Sequence, residues 1–398
     1  MEERVNCKLG DLFEFEYGKG LPKKQRNEAG NYPVYGSNGI VGFHDEYLIE
    51  GPAIIVGRKG AAGEVAFEKK NLWPIDTTYF IKVPSSLDFM FSFFLLKSLV
   101  LSQLDKSTAI PGLNRNDAYN LNISLPPLPE QRAIVSKIEQ LFSELDNGIS
   151  NLKLVQEQLK VYRQAVLKKA FEGNWEIVTI GDKFDFIGGG TPSKKEPKYW
   201  NGEIPWCSVK DIKGKYLHST IDKITNEGLK NSASNLAKVD EVILVTRISP
   251  GKAIIAKTET AINQDLKIIK PKFKSIPLFV YYLFNSLENQ YVKLSSGTTV
   301  LGINLTNLKS IPIPNIPFGQ QQTIVQEIET RLSVCDKIEQ DIAENLEKAE
   351  ALRQSILKKA FEGKLLNEKE LAEVSGAEDW EPAEVLLKRI KAEKAGKK

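Results

Sequence analysis

The heptapeptide Leu167-Lys168-Lys169-Ala170-Phe171-Glu172-Gly173 returns unchanged 190 residues later as Leu357-Lys358-Lys359-Ala360-Phe361-Glu362-Gly363. A chain that repeats itself over such a distance has to fold as two versions of one unit. The same offset carries Gln131, Ile134-Val135 and Ile138-Glu139 onto Gln321, Ile324-Val325 and Ile328-Glu329, and Gly112 and Asn114 onto Gly302 and Asn304. Upstream, Leu9-Gly10-Asp11 corresponds to Ile180-Gly181-Asp182 at an offset of 171, and Gly18, Gly20 and Pro22 to Gly188, Gly190 and Pro192 at 170. The second copy therefore holds about 20 extra residues between its first and last thirds.

Each copy opens on a stretch rich in glycine, proline and β-branched residues and closes on a long run with helical periodicity. Pro126-Pro127-Leu128-Pro129 forbids helix before it, and Glu130 then places an acid where the helix dipole favours one. A helix is expected from near Pro129, with an apolar seam at Ile134, Ile138, Leu141, Leu145, Ile149, Leu152, Val155, Leu159, Tyr162 and Val166, and a stop at Gly173. The second copy repeats the seam at Ile324, Ile328, Leu332, Cys335, Ile338, Ile342, Leu346, Ala349, Leu352 and Ile356. Two helices of about 60 Å follow at 1.5 Å per residue. One apolar stripe on a helix of that length needs a partner, and the duplicate supplies it, so an antiparallel intramolecular coiled coil is expected. Asn147-Gly148 marks a place where the first helix could break, since glycine costs about 1 kcal/mol relative to alanine there. Val135 and Phe142, with Val325 and Leu332, flank or widen the seam. Packing onto the chain's own globular parts and docking of another protein are both open to them.

The remaining arithmetic excludes several classes. With 398 residues, 41% of them hydrophobic, and 54 basic against 51 acidic side chains, the chain is long enough for two or three cored domains and is neither disordered nor fibrous. Three scattered cysteines, Cys7, Cys207 and Cys335, match no metal spacing and read as reduced, mostly buried thiols of a cytoplasmic protein. No signal peptide is expected before Leu12, and the longest apolar run, Phe89 to Leu101, is too short to cross a membrane and reads as a buried helix. With His44 and His218 the only histidines, at unrelated points of the repeat, a histidine triad or metal site is not expected. No Gly-x-x-x-x-Gly-Lys-Ser/Thr loop occurs. Phe186-Ile187-Gly188-Gly189-Gly190 fits the Phe-x-Gly-x-Gly loop of S-adenosylmethionine-dependent methyltransferases, but Thr191-Pro192-Ser193 follows where a helix should begin, and the triplet reads as a turn.

What the globular halves do offer is basic side chains beside glycines and aromatics. In the first copy these include Lys23, Lys24, Arg58, Lys59 and Arg115; in the second, Lys194, Lys195, Lys198, Lys210, Arg247 and Lys252. Lys and Arg on loops suit phosphates, and Arg suits base edges. Arg58 and Arg247 recur at an offset of 189, which favours binding over a merely solvated surface.

These strings resemble a known family. Gly190-Thr191-Pro192-Ser193, then Tyr199-Trp200-Asn201-Gly202-Glu203-Ile204-Pro205-Trp206 and Ala261-Ile262-Asn263-Gln264-Asp265, resemble a target recognition domain of type I restriction-modification specificity subunits. Tyr32-Pro33-Val34-Tyr35-Gly36-Ser37-Asn38-Gly39 with Gly57-Arg58-Lys59-Gly60 resembles another subclass of that domain. Leu128-Pro129-Glu130-Gln131-Arg132 and the two Lys-Lys-Ala-Phe-Glu-Gly ends look like the family's spacer helices, although Gly319-Gln320-Gln321 departs from the Pro-Glu-Gln start. The resemblance covers essentially the whole chain.

It implies an α+β fold, a pseudo-twofold tandem repeat with two globular α/β target recognition domains separated by two long antiparallel coiled-coil spacer helices. The segments are a first recognition domain at 1–128, a spacer helix at 129–173, a second recognition domain at 174–318, a spacer helix at 319–363 and a charged tail at 364–398, which should pack on the first domain or on a modification subunit. By the same resemblance the subunit is non-catalytic and each domain reads one half of a bipartite site in double-stranded DNA. The helices set the gap and dock two methyltransferase (modification) subunits, for which Val135, Phe142, Phe171, Val325, Leu332 and Phe361 are candidate contacts. S-adenosylmethionine belongs to those modification subunits, and ATP with Mg to restriction subunits; no cofactor or metal is expected on this chain. The alternatives are a self-contained S-adenosylmethionine-dependent DNA methyltransferase using the Phe186 to Gly190 loop, and a coiled-coil scaffold that binds no DNA.

Overall fold

The structure, a computed structural model, describes residues 4–104, 112–296 and 301–396. The chain forms two compact units: Met1–Leu152 with Glu344–Lys398, and Lys153–Ala343. Each of the two long helices contributes one half to each unit.

In the first unit, Ala53–Gly57 is buried at every position and forms an inner strand of a four-stranded antiparallel sheet, flanked by Thr78–Ile81 and Val65–Glu68, with Glu16–Tyr17 at the edge. Its run of Ala-Ile-Ile-Val is what a strand covered on both faces requires. A second sheet orders Gly39–His44, Tyr32–Gly36 and Trp73–Pro74, the last pair parallel. The apolar run after Asp88 is the helix Phe89–Ser98, as its composition predicts; Asp88 caps it by accepting from the Phe91 amide at 2.7 Å.

In the second unit, Val242–Val245 lies between Leu266–Pro271 and Ala253–Ala256 in a five-stranded sheet with Phe184–Gly188 and Tyr216–Leu217 at its edges. Trp200–Cys207 and Thr260–Ile262 are the inner strands of a four-stranded sheet whose outer strands are Asp222–Ile224 and Leu236–Ala237. The glycine triplet is not a turn. Gly188 ends a strand, Gly189 and Gly190 lie outside any turn, and the turn comes at Lys194-Lys195 with no helix of cofactor-loop type after it.

The long helices are Leu128–Ala170 and Phe318–Phe361, of 43 and 44 residues. They pair antiparallel within each unit. In the first, Ile134, Val135 and Ile138 share a core with Ile356, Leu357 and Ala360, while Asp146 pairs with Arg353, whose guanidinium lies 4.6 Å from the Phe142 ring centroid. In the second, Arg163 bridges to Asp336 at 2.6 Å and Glu339 at 3.0 Å, and Val166 and Ala170 line the same apolar groove as Ile328. Most seam positions are buried or half-buried; Val155, Tyr162 and Leu352 stand out in solvent. The first helix runs unbroken through Asn147-Gly148 because the seam on either side holds it. A Cβ at Gly148 would meet nothing within 4 Å, so Gly148→Ala should raise the unfolding free energy by about 1 kcal/mol, read from a urea titration. A lower midpoint would show that the glycine serves a bend.

The helix stops differ between copies. Gly363 takes a left-handed conformation (φ +75°), whereas the first helix ends at Ala170 and Gly173, lacking that conformation, lies against the Trp175 indole. The helix starts share one device. Gln131 is fully buried, accepting from the Asp88 amide at 3.1 Å and donating to the Pro126 carbonyl at 3.0 Å. Gln321 likewise accepts from the Ile276 amide at 3.1 Å, but its side-chain nitrogen is buried without a partner. Each glutamine thereby fastens a long helix to the start of its unit's own apolar helix. Replacing Gln131 with leucine strands a buried N–H and a buried C=O, and should cost the first unit on the order of 1–3 kcal/mol in denaturant unfolding. An unchanged midpoint would show that other contacts carry this junction. Glu130, in the first turn, is paired with Arg4 in a nearly buried bridge; the exposed Gln320 stands at its place in the second helix.

The tail packs on the first domain. Leu386 and Ile390 of the helix Ala383–Gly396 are fully buried in the first unit's core. Lys391 pairs with Asp11 at 3.0 Å, Glu393 accepts from the Ser85 amide at 3.0 Å, and Lys394 donates to the carbonyls of Gly10 and Phe13. Preceding it, Glu370 pairs with Lys137 at 2.8 Å and Asp379 with Arg132 at 2.5 Å. All three cysteines are buried and unpaired, and burial pushes the Cys7 thiol up to about 11. Among the described residues no cluster of His, Cys, Asp and Glu could hold a metal ion, and no helix is long and apolar enough to cross a membrane.

Candidate functional site

Both units build the same strand-end frame. In the first, the amide of Gly63 donates to the carbonyl of Gly57, closing a loop after the inner strand; in the second, Gly251 donates to Val245 in the same way. The amides of Arg58 and Thr246 donate to Thr77 and Asp265, and the carbonyls of Arg58 and Thr246 accept from Leu113 and Ile303. Lys59 bridges to Gly112, and Arg247 to Gly302. The strand frames are therefore related by an offset of 188, one less than the spacing of Arg58 and Arg247. Arg247 stands where the first copy has Lys59, and Arg58 corresponds to Thr246. A similar correction applies upstream. A Cβ on Gly18 would lie within 2.5 Å of the carbonyls of Pro74 and Ile75, and one on Gly189 within 2.3 Å of those of Ile262 and Asn263. Gly18 thus matches Gly189, at the offset of 171, because only a glycine passes those carbonyls.

On this frame the first unit presents Arg58, Lys59 and Arg115 together. Arg58 Nε and Nη2 donate to the Asp76 carbonyl at 3.0 and 2.6 Å, and Arg115 Nη1 donates to the Phe15 carbonyl at 3.2 Å. Both guanidinium groups lie over the ring of Tyr17, at 5.3 and 5.0 Å. The Tyr17 ring also meets Tyr79 at 5.1 Å, and burial together with the Tyr17 hydrogen bond pushes the Tyr79 phenol up to about 12. Lys59 is exposed beside them, as are Lys23 and Lys24 on a short helical turn.

The second unit fills the same frame with other chemistry. The Arg247 guanidinium is 3.2 Å from Asp265, whose side chain is nearly buried, while that of Arg247 is 52% exposed. Gln264 accepts from Thr191 at 2.5 Å, which orients its amide. Lys267 is half-buried beside Gly188, and desolvation lowers its pKa, with Arg247 adding to the effect and Asp265 opposing it. Lys194, Lys195, Lys210 and Lys252 are exposed. Lys198 forms an ion pair with Glu227 at 2.5 Å, which offsets the charge it would bring to an anion.

Sequence reasoning found the arginines and lysines but missed Tyr17, Gln264 and Lys267. An aromatic one residue before the frame glycine, and the Asn263-Gln264-Asp265 string, were the available signals. The apolar docking candidates fare differently. Val135, Phe171 and Val325 are buried, and Phe142, Leu332 and Phe361 are half-buried, each against its own unit's core: Phe142 meets Phe94, Phe361 meets Phe91 and Phe171 meets Phe279. Their apolar area is spent inside the unit, which leaves little to meet another protein. Outward apolar side chains of the helices away from the expected seam include Leu154, Val161 and Val334.

Residues 1–154 and 172–348 match the family described as the type I restriction modification DNA specificity domain, one match over each copy. The chain belongs to this family. Its relatives include the type I restriction enzyme EcoDI specificity subunit of Escherichia coli, 25% identical across 97% of this chain and 94% of that one. The EcoR124I/EcoR124II specificity subunit of Escherichia coli is 31% identical over 56% of this chain and 54% of its own length. Among solved structures, a chain of "Structural basis underlying complex assembly and conformational transition of the type I R-M system" aligns with a TM-score of 0.67 at 18% identity, covering 92% of this chain and 99% of the other. The HsdS subunit from Thermoanaerobacter tengcongensis aligns with a TM-score of 0.55 at 19% identity, covering 91% and 97%. At these identities the two structures speak for the specificity-subunit fold.

Proposed function

We propose that this specificity subunit reads a bipartite, asymmetric site in double-stranded DNA, one half with the frame around Arg58 and the other with the frame around Arg247. The observation that carries this reading is one backbone frame, built by matching hydrogen bonds in both units and bearing different exposed polar side chains at matching positions. Divergence on a shared frame is what reading two different sequences requires, because base edges are distinguished by the donor and acceptor pattern of the side chains that meet them. Lys23, Lys24, Lys59, Lys194, Lys195, Lys210 and Lys252 supply phosphate contacts and register.

The chain itself performs no chemistry in this reading. Two modification subunits, docking on the outward faces of the long helices around Leu154, Val161 and Val334, bring S-adenosylmethionine and methylate an adenine at N6 in each half-site. Restriction subunits bring ATP and Mg for translocation and cleavage, and the complex works in the cytoplasm. The test is long-read sequencing of host DNA for N6-methyladenine with and without this gene. Loss of methylation at a single motif of two short halves around a fixed gap is expected. An identical methylome, in a strain where the modification subunit co-purifies with this chain, would overturn the reading.

A further inference from the structure

The cluster of Tyr17, Arg58 and Arg115 is not needed to build the frame that carries it. The equivalent positions in the second unit are Gly188, Thr246 and Leu305, and matching strands, loop and backbone hydrogen bonds form there with no ring or guanidinium at those three positions. In the first unit two like charges are held against one tyrosine ring that remains 52% exposed, and among the described residues neither arginine forms an ion pair. Like charges held at one ring repel, and an acceptor-rich partner set before them offsets that repulsion.

The pinning is directional. Arg58 spends Nε and one hydrogen of Nη2 on the Asp76 carbonyl, which leaves both hydrogens of Nη1 and the other of Nη2 to donate, one from each nitrogen side by side at the end of the fork. That end-on pair of donors matches the two neighbouring acceptors, O6 and N7, that guanine alone presents in the major groove. Arg115, anchored through Nη1 to the Phe15 carbonyl, keeps Nε and Nη2 to donate. The ring of Tyr17 restricts the swing of both.

We propose that Tyr17 is a specificity-determining residue of the first domain, a platform that orients Arg58 and Arg115 to read the acceptor edge of guanine in that domain's half-site. The inference rests on the DNA-reading function proposed above. Because Tyr17 has no counterpart in the second domain, its loss acts on one half-site only.

The test uses the full chain assembled with its modification subunits. Methylation of the wild-type motif is compared with motifs carrying each single base change, for Arg58→Lys, Tyr17→Ala and Tyr17→Phe. Arg58→Lys keeps the charge and loses the fork; Tyr17→Ala frees both guanidinium groups; Tyr17→Phe keeps the ring. Arg58→Lys and Tyr17→Ala should relax discrimination at one guanine, in one half-site, by about 5- to 150-fold, the range of a bidentate base contact. Tyr17→Phe should retain it, and the other half-site should be read as by the wild type.

Two results would overturn the inference while leaving bipartite recognition intact. One is an unchanged preference at every position. The other is a weakening that is equal for all sequences with a shallower salt dependence, the mark of a phosphate contact. If the wild-type complex itself shows no bipartite motif, the underlying DNA-reading function falls and this inference with it.

Discussion

Replacing Leu386 and Ile390 of the C-terminal helix with alanine is expected to unfold the first unit under conditions where the second stays folded. Both side chains are fully buried in the first unit's core, although they lie far along the sequence from most of what they touch. Each truncation of a buried Leu or Ile to alanine costs about 2–5 kcal/mol with its cavity counted, so the pair removes about 4–10 kcal/mol. A domain has roughly 5–15 kcal/mol in total. The polar anchors through Asp11, Ser85 and the carbonyls of Gly10 and Phe13 cannot offset that, because they are short and partly exposed. Hydrogen exchange would localise the effect: amides of Ala53–Gly57 and Phe89–Ser98 should lose protection while those of Val242–Val245 keep theirs. Removal of residues 382–398 should do the same more completely. Retention of protection in the first unit would show that the helix is a passive appendage.

The second large effect concerns the loop that carries the basic side chains. Gly63 and Gly251 occupy the same place in the two frames, both with positive φ, +83° and +102°. A Cβ at Gly63 would lie 2.2 Å from the Ser102 amide nitrogen, and one at Gly251 2.2 Å from the ring of the fully buried Tyr291. Gly63→Ala and Gly251→Ala therefore combine backbone strain of about 1–3 kcal/mol with overpacking of about 1–3 kcal/mol. The obstacle at Gly63 is backbone and cannot rotate away, so its variant should be the worse of the two. Gly39 and Gly214 also have positive φ, but a Cβ there would meet nothing within 4 Å, and their alanine variants should show the strain alone. Chemical denaturation of the four variants separates the two contributions. If all four shift equally, the close contacts at Gly63 and Gly251 do not count.

Much of this architecture was legible in the residues. The heptapeptide repeat, the proline stop before Leu128 and the three-and-four spacing of Ile134, Ile138 and Leu141 mark two long helices of one kind, since periodicity and proline act through local backbone geometry. The frame offsets were less legible. Gly188 and Gly189 look alike in a string of three glycines; only the carbonyls of Ile262 and Asn263, more than 70 residues on, distinguish them. Likewise Arg58 and Arg247 look like partners, and only the bridges to Gly112 and Gly302 show that Lys59 holds the matching place.

The amino-acid sequence by itself determined the duplication, the two helices and their antiparallel pairing, because these follow from local periodicity and from the apolar stripe that each copy must bury. It also determined which basic residues flank the glycine loops. Only the tertiary structure decided that Phe142 and Phe361 serve the protein's own core, that the tail completes the first unit, and that Tyr17 lies beneath two arginines. Those outcomes depend on which surfaces meet across forty residues or more, and a side chain's burial or pairing there is set by the partner it meets rather than by its neighbours in the chain.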